Sequence, residues 1–449
     1  MKNESKMSLK RLLVTFVILC FIFSSFTSCF SAEQYNLKFK IRNPTVARLT
    51  HTIIISNLGK FAVKDVQLIV PVIRNQTPYH FAVIDRIVPS QNVEFENDSY
   101  GNIYISWKIN KILPKEKFVA KIEYLTLSFS VLFQIDQVEN YVKESEIYKT
   151  YTQPEDYIES DDPLIVKTAE SIAGNETNPQ IIALRIANFV MENLTYEIQP
   201  DERGAKWALI NGRGDCSEYS YLFVALCRAC GIPARVQAGF VFHKINEELT
   251  DGHMWAEYYL ENYGWVPVDL TWKYIDYQDN LHFSSLQSFP IKYPYDNFFV
   301  EYSTSVGNTV LETSQTVEIS KASIENFNDF SLAYLTYNLV LKAETVEELY
   351  FISKLMGAQV FALTELKEVK ESLYNFDLSI QQILENKDEG KIQQAQNQIK
   401  YTSSLVKQII FKCAILLSIL ILAIILIIVK LGSRKREVYE DSLAASIIF

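Results

Sequence analysis

Three side chains in this chain of 449 residues stand in a spacing that suits thiol chemistry: Cys216, His253 and Asp269. Cys216 follows Gly212-Arg213-Gly214-Asp215, whose two glycines make a tight turn. Tyr219, Leu222, Phe223, Leu226 and Cys230 then recur at threes and fours until Gly231 and Pro233. That pattern puts Cys216 at the N-terminus of a helix. The positive end of a helix and its unpaired N–H groups favour thiolate over thiol, against an ordinary pKa of about 8.5, and the same donors suit an oxyanion.

A thiolate needs a partner that takes and returns a proton near neutral pH, which is imidazole chemistry. Five histidines are present. His51 and His80 lie in the N-terminal region, and His243, His253 and His282 follow Cys216. His253 opens the aromatic run His253–Leu260, which reads as a strand. After the turn Glu261-Asn262-Tyr263-Gly264 comes a second strand ending at Asp269. In an antiparallel hairpin His253 and Asp269 point to the same face if the loop has an odd residue count or a bulge intervenes, and spacing alone leaves the register open. A carboxylate beside the histidine fixes the imidazole tautomer and stabilises the imidazolium. His243 and His282 read as surface or packing residues, and Arg235 as a local support of its strand.

The strings Gly214-Asp215-Cys216, Cys227–Arg235, His253-Met254-Trp255-Ala256-Glu257 and Gly264–Asp269 together resemble the transglutaminase-like superfamily, in particular its microbial branch. The resemblance is strong from Trp207 to Trp272 and implies a catalytic domain over residues 149–310. Its implied fold is a papain-like α+β core, in which the cysteine helix packs on an antiparallel sheet carrying the histidine and the acid. Cys216, His253 and Asp269 then match nucleophile, base and orienter. Crosslinking members use a tryptophan upstream of the cysteine for the oxyanion. Trp207, Asp215 and Trp255 are accordingly candidates for the oxyanion and substrate groove, beside the backbone N–H of Cys216, with core packing an equal reading for Trp255 and Trp265. No calcium-loop signature is present, so neither metal nor other cofactor is expected. The implied reaction is acyl transfer or hydrolysis through a cysteine thioester, on a protein or peptide amide, cell-wall peptide included. A thiol protease or peptidoglycan amidase is an alternative reading, and a non-catalytic membrane-anchored binding or scaffold protein is another.

The elements around this core follow from composition and pattern. The net charge of −10 and pI near 5.3 argue against nucleic acid as a partner, because phosphate affinity needs clustered Lys and Arg. Lys10 and Arg11 precede the apolar run Leu12–Phe23 and a small-residue stretch to Cys29, which reads as a signal peptide over residues 1–32; a lipidated Cys29 and an uncleaved anchor are alternatives. Alternating runs between residues 33 and 148 read as a β-sandwich domain. The acidic stretch Tyr151–Pro163 reads as a linker. Residues 311–408, rich in Glu, Lys, Gln and Leu, read as a helical membrane-proximal stalk, with Leu366, Val369, Leu373, Phe376 and Ile380 at threes and fours. Residues 409–430 form an apolar transmembrane helix of about 30 Å. Lys430, Arg434, Lys435 and Arg436 follow it, which keeps the 431–449 tail cytoplasmic and the main body outside. Cys227 and Cys230 read as apolar packing on the cysteine helix, a mutual disulfide being a minor alternative. The expected fold is therefore α+β: a papain-like core preceded by an all-β sandwich and followed by a helical stalk and one C-terminal transmembrane helix.

Overall fold

The computed structural model describes residues 37–288, 297–303, 310–327, 331–386 and 390–446. The signal read over residues 1–32, with Cys20 and Cys29, lies outside them. Two compact units are present, residues 37–341 with 381–388, and residues 342–380 with 389–449.

The first unit opens with six strands: β1 (Phe39–Asn57), β2 (Val63–Pro71), β3 (His80–Val88), β4 (Val93–Asn97), β5 (Ile103–Ile112) and β6 (Lys117–Phe133). Buried and half-exposed positions alternate along much of β1, the signature of a strand with one face on a core. Leu49, Ile53 and Ile55 of β1 meet Leu68 and Val70 of β2, Ile105 and Trp107 of β5, and Ile122 and Tyr124 of β6 in one apolar cluster. Each such buried side chain contributes about 1.5–3 kcal/mol, so this cluster is the main source of cohesion between the two sheets.

After β6 the chain leaves the sandwich and builds the α+β core. Its helices are α1 (Glu146–Tyr151), α2 (Pro163–Ala173), α3 (Pro179–Asn193), α4 (Ala205–Asn211) and α5 (Cys216–Ala229). Its strands are β7 (Thr195–Tyr196), β8 (Arg213–Gly214), β9 (Ala234–Val241), β10 (Glu247–Leu249), β11 (His253–Leu260), β12 (Gly264–Asp269), β13 (Tyr274–Ile275), β14 (Tyr277–Gln278) and β15 (His282–Gln287). A five-stranded antiparallel sheet runs in the order β13-β12-β11-β9-β15. The helix α5 lies against it, with Phe223 edge-on to Tyr258 of β11 at 6.4 Å.

The chain then returns to the sandwich. β16 (Phe299–Ser303) pairs with β2, and β17 (Leu311–Lys321) pairs with β1 along eleven residues. Residues 311–321, grouped with the helical stalk by composition, are thus a sandwich strand. Their sequence is mostly Glu, Ser and Thr because one face is solvated, and only Val317 and Ile319 are buried. Nor does the stretch 151–163 hang free as a linker. Ile158 is fully buried, and Arg228 of α5 donates to the Gln153 carbonyl at 2.6 Å and to Glu155 at 3.0 Å. Sandwich and core share their interior, since Phe240, Phe242 and Phe283 join the sandwich cluster. A buried polar net ties them further: Arg74 donates to Gln237 at 2.8 Å, Gln76 to Glu257 at 3.2 Å, and Arg235 to Glu257 at 2.7 Å.

The C-terminal region is helical, as its composition suggests, over α6 (Ser331–Leu355), α7 (Leu363–Asn386) and α8 (Gly390–Ser446). Leu366, Val369, Leu373, Phe376 and Ile380 are all buried, so the heptad-like spacing marks packing between helices. Ala395, Ile399 and Val406 of α8 are buried as well, and Lys412 pairs with Glu365 at 2.7 Å. Beyond Lys412 the character of α8 inverts, with Leu416, Ile419, Leu422, Leu426 and Val429 exposed. One helix, Gly390–Val429, is long and apolar enough to cross a membrane among the described residues. Its backbone continues unbroken through the end read as a membrane boundary.

Candidate active site

Asp215 starts the cysteine helix. Its Oδ1 accepts from the Ser217 N–H at 3.0 Å, and its own N–H donates to Glu218 at 2.9 Å, a reciprocal cap that satisfies two otherwise orphaned donors. Gly214 is required there, because a Cβ at that position would stand 2.3 Å from the Cβ of Glu218. The cap leaves half-buried Cys216 at the first helical position, where its own N–H has no partner within the helix.

The hairpin β11–β12 supplies the other groups. Leu260 pairs with Gly264 across the three residues 261–263 and the ladder runs to Ala256 with Val268, a register that, carried one residue further, puts Asp269 on the same face as His253. An odd loop count is the condition under which the two share a face. His253 Nε2 lies 2.7 Å from Asp269 Oδ2. A carboxylate only accepts, so Nε2 carries a hydrogen and Nδ1 is the nitrogen left for Cys216, with which the ring interacts directly. The other oxygen, Asp269 Oδ1, accepts from the N–H groups of Thr271 and Trp272, each at 3.1 Å, and from the Thr271 hydroxyl at 2.8 Å.

Electrostatics follow from this enclosure. Burial works against a charged His253, but the Asp269 carboxylate and the Cys216 sulfur outweigh it, and the imidazole pKa is pushed up to about 10. Burial likewise opposes the Asp269 charge, yet His253 and then His282 hold that carboxyl well below the usual range.

A cavity of about 380 Å³ exposes Cys216 and His253 beside Gln199, Asp215 and Tyr221. A second, of about 650 Å³, is lined by Tyr196, Tyr219, Asp251 and Trp272 and shares Gly252 and His253 with the first. The two hollows therefore meet at the histidine.

The three groove candidates take other places. Trp207 has the guanidinium groups of Arg203 and Arg213 over its ring, each 5.7 Å from the centroid, and does not line the cavity at Cys216. Asp215 does line the cavity, but its carboxylate is occupied as a helix cap and by the Gln199 N–H at 3.1 Å, and an ionised carboxylate has no proton to give an oxyanion. Trp255 is buried and lies parallel to the His253 ring at 6.3 Å, so it supports the imidazole from within the core. Cys227 is a free, buried thiol of α5 and Cys230 a free, half-buried thiol just past the end of that helix; burial raises Cys227 far above the usual thiol range and pushes Cys230 up to about 11.

His282 is the residue that spacing missed. Read as surface or packing, it is buried, with Nε2 at 3.2 Å from Asp269 Oδ2 and Nδ1 at 2.6 Å from Asp279 Oδ1. The one local signal is an aspartate three residues before a histidine at the start of a strand. His243, by contrast, is exposed and pairs with Glu247.

A cysteine at a helix N-terminus, facing a histidine that a carboxylate holds on an antiparallel sheet, is the arrangement of α+β cysteine-dependent enzymes. Residues 166–270 match the family model of the Transglutaminase-like superfamily, and this segment is a transglutaminase-like core. Among individual proteins, an uncharacterized protein of Haemophilus influenzae is 27% identical over 205 residues, covering 39% of this chain and 54% of that protein. A protein-glutamine gamma-glutamyltransferase of Pseudomonas aeruginosa is 31% identical over 117 residues, 23% of this chain and 18% of that one. This chain thus spans about half the length of the first relative and less than a fifth of the second. A solved structure of a proposed cysteine protease from Cytophaga hutchinsonii superposes with a TM-score of 0.46 at 18% identity, over 63% of this chain and all of that one.

Proposed function

We propose that this chain is a membrane-anchored thiol enzyme that transfers or hydrolyses amide acyl groups outside the cell membrane. The observation that carries the reading is the contact chain from Cys216 through His253 to Asp269, opening on a cavity. The proposed cycle uses Cys216 as the thiolate opposite a His253 imidazolium. The thiolate attacks the carbonyl carbon of a side-chain or peptide carboxamide, and the Cys216 N–H steadies the oxyanion. His253 gives its Nδ1 proton to the departing amine as the C–N bond breaks, which leaves a thioester and a neutral imidazole. The imidazole then takes a proton from water or from an amine attacking the thioester, and release of acid or new amide restores the ion pair. Asp269 keeps the ring in place throughout.

The related glutamyltransferase supports an acyl acceptor other than water, and the substrate class is a protein or peptide, cell-wall peptide included. The cations at Lys430, Arg434, Lys435 and Arg436 support a cytoplasmic tail and an outward body. Incubation of the full chain with an electrophilic amide analogue tests the nucleophile: Cys216→Ala abolishes covalent capture, and equal labelling of that variant overturns the assignment. A tagged primary amine supplied with a peptide amide separates the outcomes, incorporation marking transfer and free acid marking hydrolysis.

A further inference from the structure

A second buried imidazole stands behind the first. The His282 side chain has no solvent exposure and lies between two carboxylates, Asp269 on the Nε2 side and Asp279 on the Nδ1 side. Aromatic rings close the remaining directions: Trp255 at 5.4 Å, Trp272 at 5.6 Å and Tyr274 at 5.9 Å, with the His253 ring at 6.3 Å. A neutral imidazole has one N–H and one lone pair, and a lone pair set 2.6 Å from a carboxylate oxygen meets only another acceptor. With both oxygens ionised, both ring nitrogens must carry hydrogen.

We propose that His282, kept as an imidazolium between Asp279 and Asp269, is a positioning residue that pins the Asp269 carboxylate against His253 and moderates the charge His253 feels. Asp279 is itself fixed, accepting from the Leu281 N–H at 2.8 Å and the Tyr274 hydroxyl at 3.3 Å. Asp269 therefore shares one negative charge between two cations. Removing His282 leaves that charge to His253 alone, so the imidazolium of His253 is held more tightly and releases its proton less readily. Burial opposes a charge on His282, but the two carboxylates outweigh it and raise its affinity for the second proton. The consequence for turnover rests on the acyl-transfer reading above; the charge state of His282 does not.

The test uses the full chain in detergent with nitrogen-15 in its five histidines. At pH 8 the expected spectrum shows both His282 ring nitrogens protonated. Asp279→Asn replaces an acceptor with a group that can donate, and it makes His282 neutral while leaving Nε2–H on Asp269. In that variant and in His282→Gln, the His253 proton shared with Asp269 moves downfield. In His282→Leu, which removes both bonds, amide turnover falls about tenfold, the equivalent of one pKa unit on the His253 proton, while Cys216 alkylation at pH 6 is not slowed. A bare His282 nitrogen at pH 8 in the parent protein, or an unmoved His253 proton in both Asp279→Asn and His282→Gln, overturns the proposal. Failure of the thiol reading shows separately, as a Cys216 in the parent protein that alkylates only near the ordinary thiol pKa while the His282 resonances stay as expected.

Discussion

The Nε2 atom of His253 lies 2.7 Å from Oδ2 of Asp269, although a hairpin turn separates the two residues in sequence. They meet because the ladder that ends at Ala256 and Val268, carried one residue further, puts Asp269 on the face of His253. The bond selects which imidazole nitrogen is left for Cys216, and so links hairpin register to the chemistry proposed for the sulfur.

Asp269→Asn tests that link. The amide fills the same space but removes the charge that stabilises the imidazolium and can present a donor toward Nε2. Amide turnover is expected to fall roughly 10³-fold, and the melting temperature should fall as well, because the variant loses the stabilisation that buried His253 draws from the carboxylate. A variant that keeps its turnover would show that the carboxylate does not orient the ring.

The pH dependence has a definite sign. His253 has its pKa raised from 6.5 to about 10, so the stabilisation it gains from Asp269 is full below pH 6.5 and is lost as pH rises through about 10. The general-acid step needs the same proton. Turnover should therefore hold across neutral pH and decline near pH 10, and the alkaline limb should move toward 6.5 in Asp269→Asn. A parent profile that already falls near 6.5 would contradict the pairing.

Two sandwich histidines act in the opposite direction. Burial lowers His51 to about 4 despite its bond to Gln315, and burial together with the nearby Arg74 charge lowers His80 to about 3. Both stay neutral when folded, while the unfolded chain takes up protons from about pH 6.5 downward. Stability is thus expected to fall as pH drops from 6.5 toward 4, by about 1.4 kcal/mol per pH unit for each group. Urea midpoints measured at pH 7 and pH 5 check the slope, which His80→Phe should reduce by about half.

Gly214→Ala probes the helix start. The added methyl would overlap Glu218, whose carboxylate completes the cap on Asp215, and the expected cost is about 2 kcal/mol. Melting temperature and Cys216 labelling should fall together. Loss of labelling with an unchanged melting temperature would place the effect in the site alone.

Much of the site was legible because the groups sit on short, strongly patterned segments. The glycine turn before Cys216, the 3–4 spacing after it and the aromatic hairpin each mark their element locally, and α5, β11 and β12 form there. The place of Trp207 was not legible, because an upstream position says nothing of which way an indole turns, and its ring lies against Arg203 and Arg213. Composition placed residues 311–321 with the helices, since a strand with one solvated face and only two buried aliphatics carries little apolar signal.

Local sequence, then, determined where the cysteine helix begins, which hairpin carries the histidine and the acid, and where the chain turns apolar enough to enter a membrane. Tertiary structure alone decided that β16 and β17 close the sandwich, that its Arg74 enters the core beside Gln237, and that His282 stands behind Asp269. The physical reason is range. Caps, turns and periodicity act between residues a few positions apart, whereas sheet pairing and burial of a charged ring depend on which distant segments exclude water together.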